Sequence, residues 1–292
     1  MAITLENSSM KKSSLWTETG ARLELVRGSQ AGPWNWFFLP GGPGLGSEAL
    51  LPLIEILSLP GMLWKLDLPG DGSNIQKDNA RAISKWAKAL EEAVSALENV
   101  VLVTHSRGGM FALAAPNLEP YLTGLVLMTS APDMQWQKDL EKKIVHFPLP
   151  EADKEDLLYL QNPNNLQLKK CLVAGAPRMF ASSDGLEKSA DFFKQLPVNY
   201  EAWEWAKDHF DPTYEAKWVP KCPTLILSGK EDIAIPIQYF RAKKEYQQKN
   251  FLQKEIDKAG HFPWMDNPNE VKQVFKDFVA FLQQEEKSSL HR

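Results

Sequence analysis

The sequence predicts an α/β fold: a mostly parallel sheet flanked by helices, with a mainly helical segment inserted. Three observations carry this. Short apolar runs alternate with helical patterns through the first half of the chain, as βα units do. The same rhythm returns after Pro220. Between the two, the chain is aromatic-rich, and Pro148, Pro150, Pro163, Pro177 and Pro197 break it into short helical pieces with no clear strand. One sheet domain made of residues 1–132 and 219–292, carrying a helical cap (lid) at 133–218, explains this better than two tandem domains.

The elements follow in order. Ser14–Thr19 and Arg22–Val26, split by Gly20, read as an opening hairpin. Trp34–Leu39 is a buried strand that ends in Gly41-Gly42-Pro43-Gly44-Leu45-Gly46, with a helix over Glu48–Leu57 after it. Met62–Leu66 is the next strand, closed by Asp67-Leu68-Pro69-Gly70-Asp71-Gly72. Ile83, Trp86, Ala87, Leu90, Val94 and Leu97 have helical spacing and predict a helix over Ala80–Leu97. Val100–Val103 is an all-apolar strand that runs straight into Thr104-His105-Ser106-Arg107-Gly108-Gly109 and an apolar helix stopped near Pro116. Gly124–Met128 and Thr224–Leu227 read as strands, Ile237–Gln248 as a helix, Phe251–Ile256 as the last strand and Asn269–Gln284 as the last helix.

Composition narrows the function. The 292 residues are 43% hydrophobic and 24% charged, ordinary for a soluble globular enzyme. A formal net charge of -4 argues against a nucleic-acid surface, which needs a basic face. Two cysteines, Cys171 and Cys222, point to a reducing compartment rather than a disulfide framework. The polar stretch from Met1 to Ser14 lacks the apolar core of a signal peptide, and no run is long enough to span a membrane. A cytoplasmic protein acting on a small molecule, without a cofactor, is the expectation; the sequence does not fix its oligomeric state.

A serine hydroxyl is a poor nucleophile until a base takes its proton. A sharp turn between strand and helix exposes it, and the crowding there requires small residues two before and two after. Ser106 has the strand, the helix, Thr104 and Gly108, so it matches G-x-S-x-G except that threonine replaces the first glycine. The competing role is a plain helix N-cap. Acyl transfer also needs N–H groups aimed at the developing oxyanion, each contributing roughly 3–4 kcal/mol. The amide of Arg107 is one candidate and that of Gly42 the other, since glycine lets backbone approach substrate closely and Pro43 has no N–H. A phosphate loop fits poorly: Gly41 and Gly46 have the separation, but Ser47-Glu48 stands where Lys-Ser belongs.

Of five histidines, His105 adjoins the serine and should point away from the site, His146 and His209 lie in the cap, and His291 is terminal. His261 lies in Ala259-Gly260-His261-Phe262-Pro263-Trp264, between the last strand and the last helix, at the sheet edge where ligands gather. The acid that orients it is Asp232, on the loop after Thr224–Leu227, with Glu231 and Asp133 as competitors. Metal catalysis lacks its signatures: there is no H-E-x-x-H and no Cys/His set at ligand spacing.

Together these segments resemble the α/β-hydrolase superfamily, in its lid-bearing branch of proline iminopeptidases, esterases and carbon–carbon bond hydrolases. Gly41-Gly42-Pro43-Gly44 resembles that branch's oxyanion loop, Asp67 to Ser73 its D-x-x-G-x-G turn, and His105 to Gly109 its nucleophile elbow. Gly229 to Pro236 resembles the acid loop, and Gly260 to Trp264 with Asn267-Pro268 the histidine loop. The resemblance implies an eight-stranded sheet and a Ser106, Asp232, His261 triad in that chain order. Pro40 replaces the usual histidine before the oxyanion glycines, and the elbow lacks the Gly-Gly-Ser-Trp-Gly form of proline iminopeptidases. A serine nucleophile argues against epoxide hydrolase and haloalkane dehalogenase activity.

A carboxylesterase-like serine hydrolase is the leading expectation, with cap aromatics Trp136, Phe180, Tyr200, Trp203 and Trp205 as candidates for an apolar pocket. An aminopeptidase would need cap carboxylates for an α-ammonium group, and Glu201 and Glu204 share a helix face at i, i+3. A non-catalytic ligand receptor on the same fold is the third class.

Overall fold

The computed structural model describes residues 13–29 and 32–290; the polar N-terminus through Lys12 and His291 lie outside them. Eight strands form one sheet: β1 (Ser14–Trp16), β2 (Arg22–Ser29), β3 (Asn35–Leu39), β4 (Gly61–Asp67), β5 (Val100–His105), β6 (Leu122–Met128), β7 (Thr224–Gly229) and β8 (Phe251–Ile256). Their order is β1-β2-β4-β3-β5-β6-β7-β8. The first two pairings, β1 with β2 and β2 with β4, are antiparallel, and every later one is parallel.

Period-two alternation explains the near-continuous hydrophobic strands, because both faces are covered. On one face Trp36, Phe38, Val101, Val103, Val126, Met128, Leu225 and Leu227 meet helices α1 (Leu51–Ile56) and, from the other end of the chain, Pro268–Leu290. On the other face Phe37, Leu39, Val100, Leu102, Leu125, Leu127 and Ile226 meet Trp86, Leu90 and Val94.

The predicted helix over Ala80–Leu97 is two pieces, α2 (Asn79–Ile83) and α3 (Trp86–Ser95). The break lets Trp86 turn inward, where its Nε1 donates to the Pro69 carbonyl at 2.7 Å. Helix α4 (Arg107–Leu113) follows β5 directly. Between β6 and β7 stand α5 (Gln135–Ile144), α6 (Pro150–Gln161), α7 (Asn165–Gly175), α8 (Ser183–Gln195) and α9 (Tyr200–Trp205), the last running into a π-helical turn over Ala206–Phe210. The expected helix Ile237–Gln248 is a correction: only α10 (Gln238–Arg241) and one 3-10 turn, Lys244–Tyr246, form. Buried Phe240 and Tyr246 pack edge to face at 4.9 Å, so their spacing serves two short turns as well as one helix. Helices α11 (Pro263–Asp266) and α12 (Pro268–Leu290) close the chain. Among the described residues no helix is long and apolar enough to cross a membrane.

The strand order locates the site. From β3 the chain moves to β4 on one side, and β5 then lies on the other side of β3. At such a switch point the loops leaving the two strands diverge and open a crevice beyond their carboxyl ends. Leu39 pairs with Thr104, so the loop from Pro40 and the turn at Ser106 face each other there.

Candidate active site

Ser106 sits between β5 and α4 with φ 52 and ψ -127. A left-handed conformation at a non-glycine residue costs about 1–3 kcal/mol, and its neighbours hold it in place. A Cβ on Gly41 would come within 2.6 Å of the Ser106 Cβ. One on Gly108 would run into the Pro40 carbonyl oxygen, and one on Gly109 would lie 2.9 Å from Thr104 Oγ1. Threonine fits where a glycine is usual because its hydroxyl donates to the Val126 carbonyl at 2.7 Å, turned into the sheet.

Three distant stretches converge here. His261 Nε2 lies 3.1 Å from Ser106 Oγ, and His261 Nδ1 lies 2.9 Å from Asp232 Oδ2. The other Asp232 oxygen accepts the N–H groups of Ala234 (2.9 Å) and Ile235 (3.0 Å). Burial would raise the Asp232 pKa, but His261 and these donors outweigh it and hold it below the usual carboxylate value. The two competitors are engaged elsewhere: Glu231 accepts from the Ala259 amide, and Asp133 pairs with Lys243. The backbone of His261 is itself fixed, its N–H donating to the Met179 carbonyl at 2.7 Å.

His105 does point out of the crevice, but it packs behind His261 with ring centroids 4.9 Å apart, its Nε2 3.0 Å from the His261 carbonyl oxygen. Burial pushes its pKa down to about 3. The ring is therefore neutral and donates to that carbonyl, supporting the histidine loop from below.

Gly42 and Arg107 both line the crevice. Among the described residues their amides donate to no protein acceptor, and Arg107 opens a helix, where the first N–H groups have no intrahelical partner. Around Gly42 the loop is held by side chains. Arg107 Nη1 donates to the Gly42 carbonyl at 2.8 Å. Asp71 Oδ1 accepts the amides of Gly44 (2.8 Å) and Gly46 (3.4 Å). The Asn199 backbone N–H donates to the Gly44 carbonyl at 2.7 Å, and a Cβ on Gly44, at φ +96, would strike the Asn199 backbone oxygen. Burial, reinforced by the neighbouring Asp67, pushes the Asp71 pKa up to about 8.

A cavity of about 400 Å³ opens from Ser106 and His261, walled by Leu45, Leu140, Leu168, Leu172, Met179 and Ile235 among others. Of the five predicted pocket aromatics, Trp136 and Trp203 line it. The other three do not. Phe180 stacks on Phe262 at 5.2 Å, Tyr200 packs into the core, and Trp205 lies between Trp86 and His209. Glu201 and Glu204 also miss the cavity: Glu201 accepts from Asn79, and Glu204 accepts from Tyr159 and pairs with Lys207. The aliphatic walls went unseen in the sequence because leucines at helical spacing read as core.

Comparison with known proteins agrees with this architecture. The profile of the alpha/beta hydrolase family matches residues 25–274, and the chain belongs to that family. No functionally curated protein matches it in sequence. Among solved structures it is similar to a proline iminopeptidase-related protein from Thermus thermophilus, with a TM-score of 0.68 at 20% identity over 94% of this chain and 99% of that one. An esterase from Exiguobacterium antarcticum gives 0.68 at 16% identity over 94% and 100%. A Bacillus megaterium epoxide hydrolase gives 0.63 at 15% identity over 92% and 100%. These likenesses concern the fold.

Proposed function

We propose that this chain is a serine hydrolase that cleaves small or medium acyl esters through an acyl-enzyme. The observation that carries the reading is the unbroken relay from Ser106 Oγ through His261 to Asp232, at 3.1 and 2.9 Å. His261 takes the hydroxyl proton as Ser106 Oγ attacks the ester carbonyl. The oxyanion is held by the amides of Gly42 and Arg107, and His261 then protonates the departing alcohol. Water, deprotonated by His261, attacks the acyl-serine and releases the acid and the free serine. Residues 133–218 act as a cap whose aliphatic walls receive the apolar part of the substrate, over a core formed by 1–132 and 219–292.

For the aminopeptidase alternative, the expected anchors Glu201 and Glu204 are engaged outside the cavity, and the carboxylates that do line it are Glu141 and Asp156. Serine in place of an aspartate nucleophile speaks against epoxide opening. A fluorophosphonate probe should label the wild-type chain and leave Ser106→Ala unlabelled, and chromogenic esters should turn over where aminoacyl anilides do not. A receptor on this fold would take no label. Full ester turnover by a folded Ser106→Ala variant would refute the assignment.

A further inference from the structure

Glycine has no conformational preference of its own, so the direction of the Gly42 N–H has to be imposed from outside the loop. On the N-terminal side Gly41 is wedged against Ser106. On the C-terminal side the only side chain bonded to the Gly42 carbonyl, among the described residues, is Arg107. A free arginine would not hold that position, because ordering its long side chain costs rotamer entropy. Here the guanidinium is fixed on three sides. Trp136 and Trp203 flank it with ring centroids 5.3 and 5.4 Å away. Asp211 closes the third side with a fork, Oδ1 accepting from Nε at 3.0 Å and Oδ2 from Nη2 at 2.7 Å. The Asp211 side chain is 5% exposed, and a two-pronged pair of this kind is strong and directional. Asp211 directly follows the π-helical turn Ala206–Phe210, a widened geometry frequent beside functional sites.

We propose that Asp211 is a positioning residue for the oxyanion hole. It aims Arg107 so that Nη1 holds the Gly42 carbonyl, and through that carbonyl it fixes the Gly42 amide opposite Ser106. Arg107 thus has two separate tasks, its backbone N–H as one oxyanion donor and its side chain as the tether of the other. The inference rests on the acyl-transfer reading above and adds a residue from the segment between β6 and β7 to its machinery.

The test compares wild type with Asp211→Asn, which keeps the shape but loses the charge, and Asp211→Glu, which keeps the carboxylate. Rates on a p-nitrophenyl ester are expressed per active serine titrated with fluorophosphonate, so any unfolded fraction drops out. Affinity is measured for a trifluoromethyl ketone carrying the same acyl chain, which forms an oxyanion on Ser106, and for the product acid, which does not. Asp211→Asn should lower kcat at least 10-fold with KM within twofold. It should weaken the ketone by a matching factor and leave the acid unchanged, and Asp211→Glu should recover part of the loss. Equal weakening of ketone and acid, or a kcat within twofold of wild type, would overturn the proposal. A wild-type chain that neither turns over esters nor takes the probe would overturn the acyl-transfer reading and this one with it. An active wild type with an unchanged Asp211→Asn variant would overturn this one alone.

Discussion

Replacing Asp71 by asparagine should remove the loss of stability that this carboxyl causes as pH rises. The side chain is buried against the loop over 41–46, and its Oδ1 accepts from Gly44 and Gly46. Burial first, and then the charge of Asp67, raise its pKa from 3.8 to about 8. Between those two values the folded chain carries a proton at Asp71 that the unfolded chain has released. Stability therefore falls as pH rises, by about 1.4 kcal/mol per pH unit. From pH 5 to pH 8 this amounts to about 4 kcal/mol. Asparagine has the same shape, keeps an oxygen for the two amides and does not titrate. The variant should match wild type within about 1 kcal/mol at pH 5, a single neutral hydrogen-bonding difference, and exceed it by about 4 kcal/mol at pH 8. Urea titrations of both proteins at pH 5, 6.5 and 8 measure the difference. Buried His105 titrates in both and cancels; alone it would cost stability as pH falls below 6.5 towards 3. A difference that stays flat with pH, or a wild type that gains on the variant as pH rises, would refute the reasoning.

Three further outcomes are expected. Asp232→Asn should cut kcat by on the order of 10⁴ while the fold persists, because the amide no longer stabilises the imidazolium or selects its tautomer; steady-state rates and circular dichroism check this together. Gly108→Ala drives a methyl into the Pro40 carbonyl and should cost about 1–3 kcal/mol by overpacking, read as a lower denaturation midpoint with lost ester turnover. Cys171 and Cys222, whose thiols burial pushes up to about 12, should be on the order of 10⁻⁴ ionised at pH 8 and react with a disulfide reagent far more slowly than after unfolding.

What the sequence made legible follows from how local each signal is. Ser106 follows β5 at once, and Asp232 and His261 lie on the loops that leave β7 and β8, so chain position alone puts each at one edge of the sheet. The breaks at Ser84 and within Ile237–Gln248 were invisible, since apolar spacing of three or four fits one long helix or two short turns. Cap aromatics divided by helix face, which tertiary packing decides: Trp203 turns to the cavity while Trp205, two residues on, turns to Trp86. Asp211 carried no signal at all. Phe210-Asp211-Pro212 resembles any turn, and its meaning comes from Arg107, 104 residues earlier.

The bond from the His261 amide to the Met179 carbonyl, with Phe180 and Phe193 laid on Phe262, joins the stretch around Met179 to the loop that carries His261. A motion that lifts Met179 and Phe180 would therefore also pull the His261 imidazole away from Ser106. The facing wall is anchored as well: α5, which supplies Leu140 and Ile144, is held by Lys143 Nζ on the Ile233 carbonyl at 3.1 Å and by the Tyr239 hydroxyl on Asp139 at 3.2 Å, so both sides of the chamber are pinned to the loops that carry Asp232 and His261.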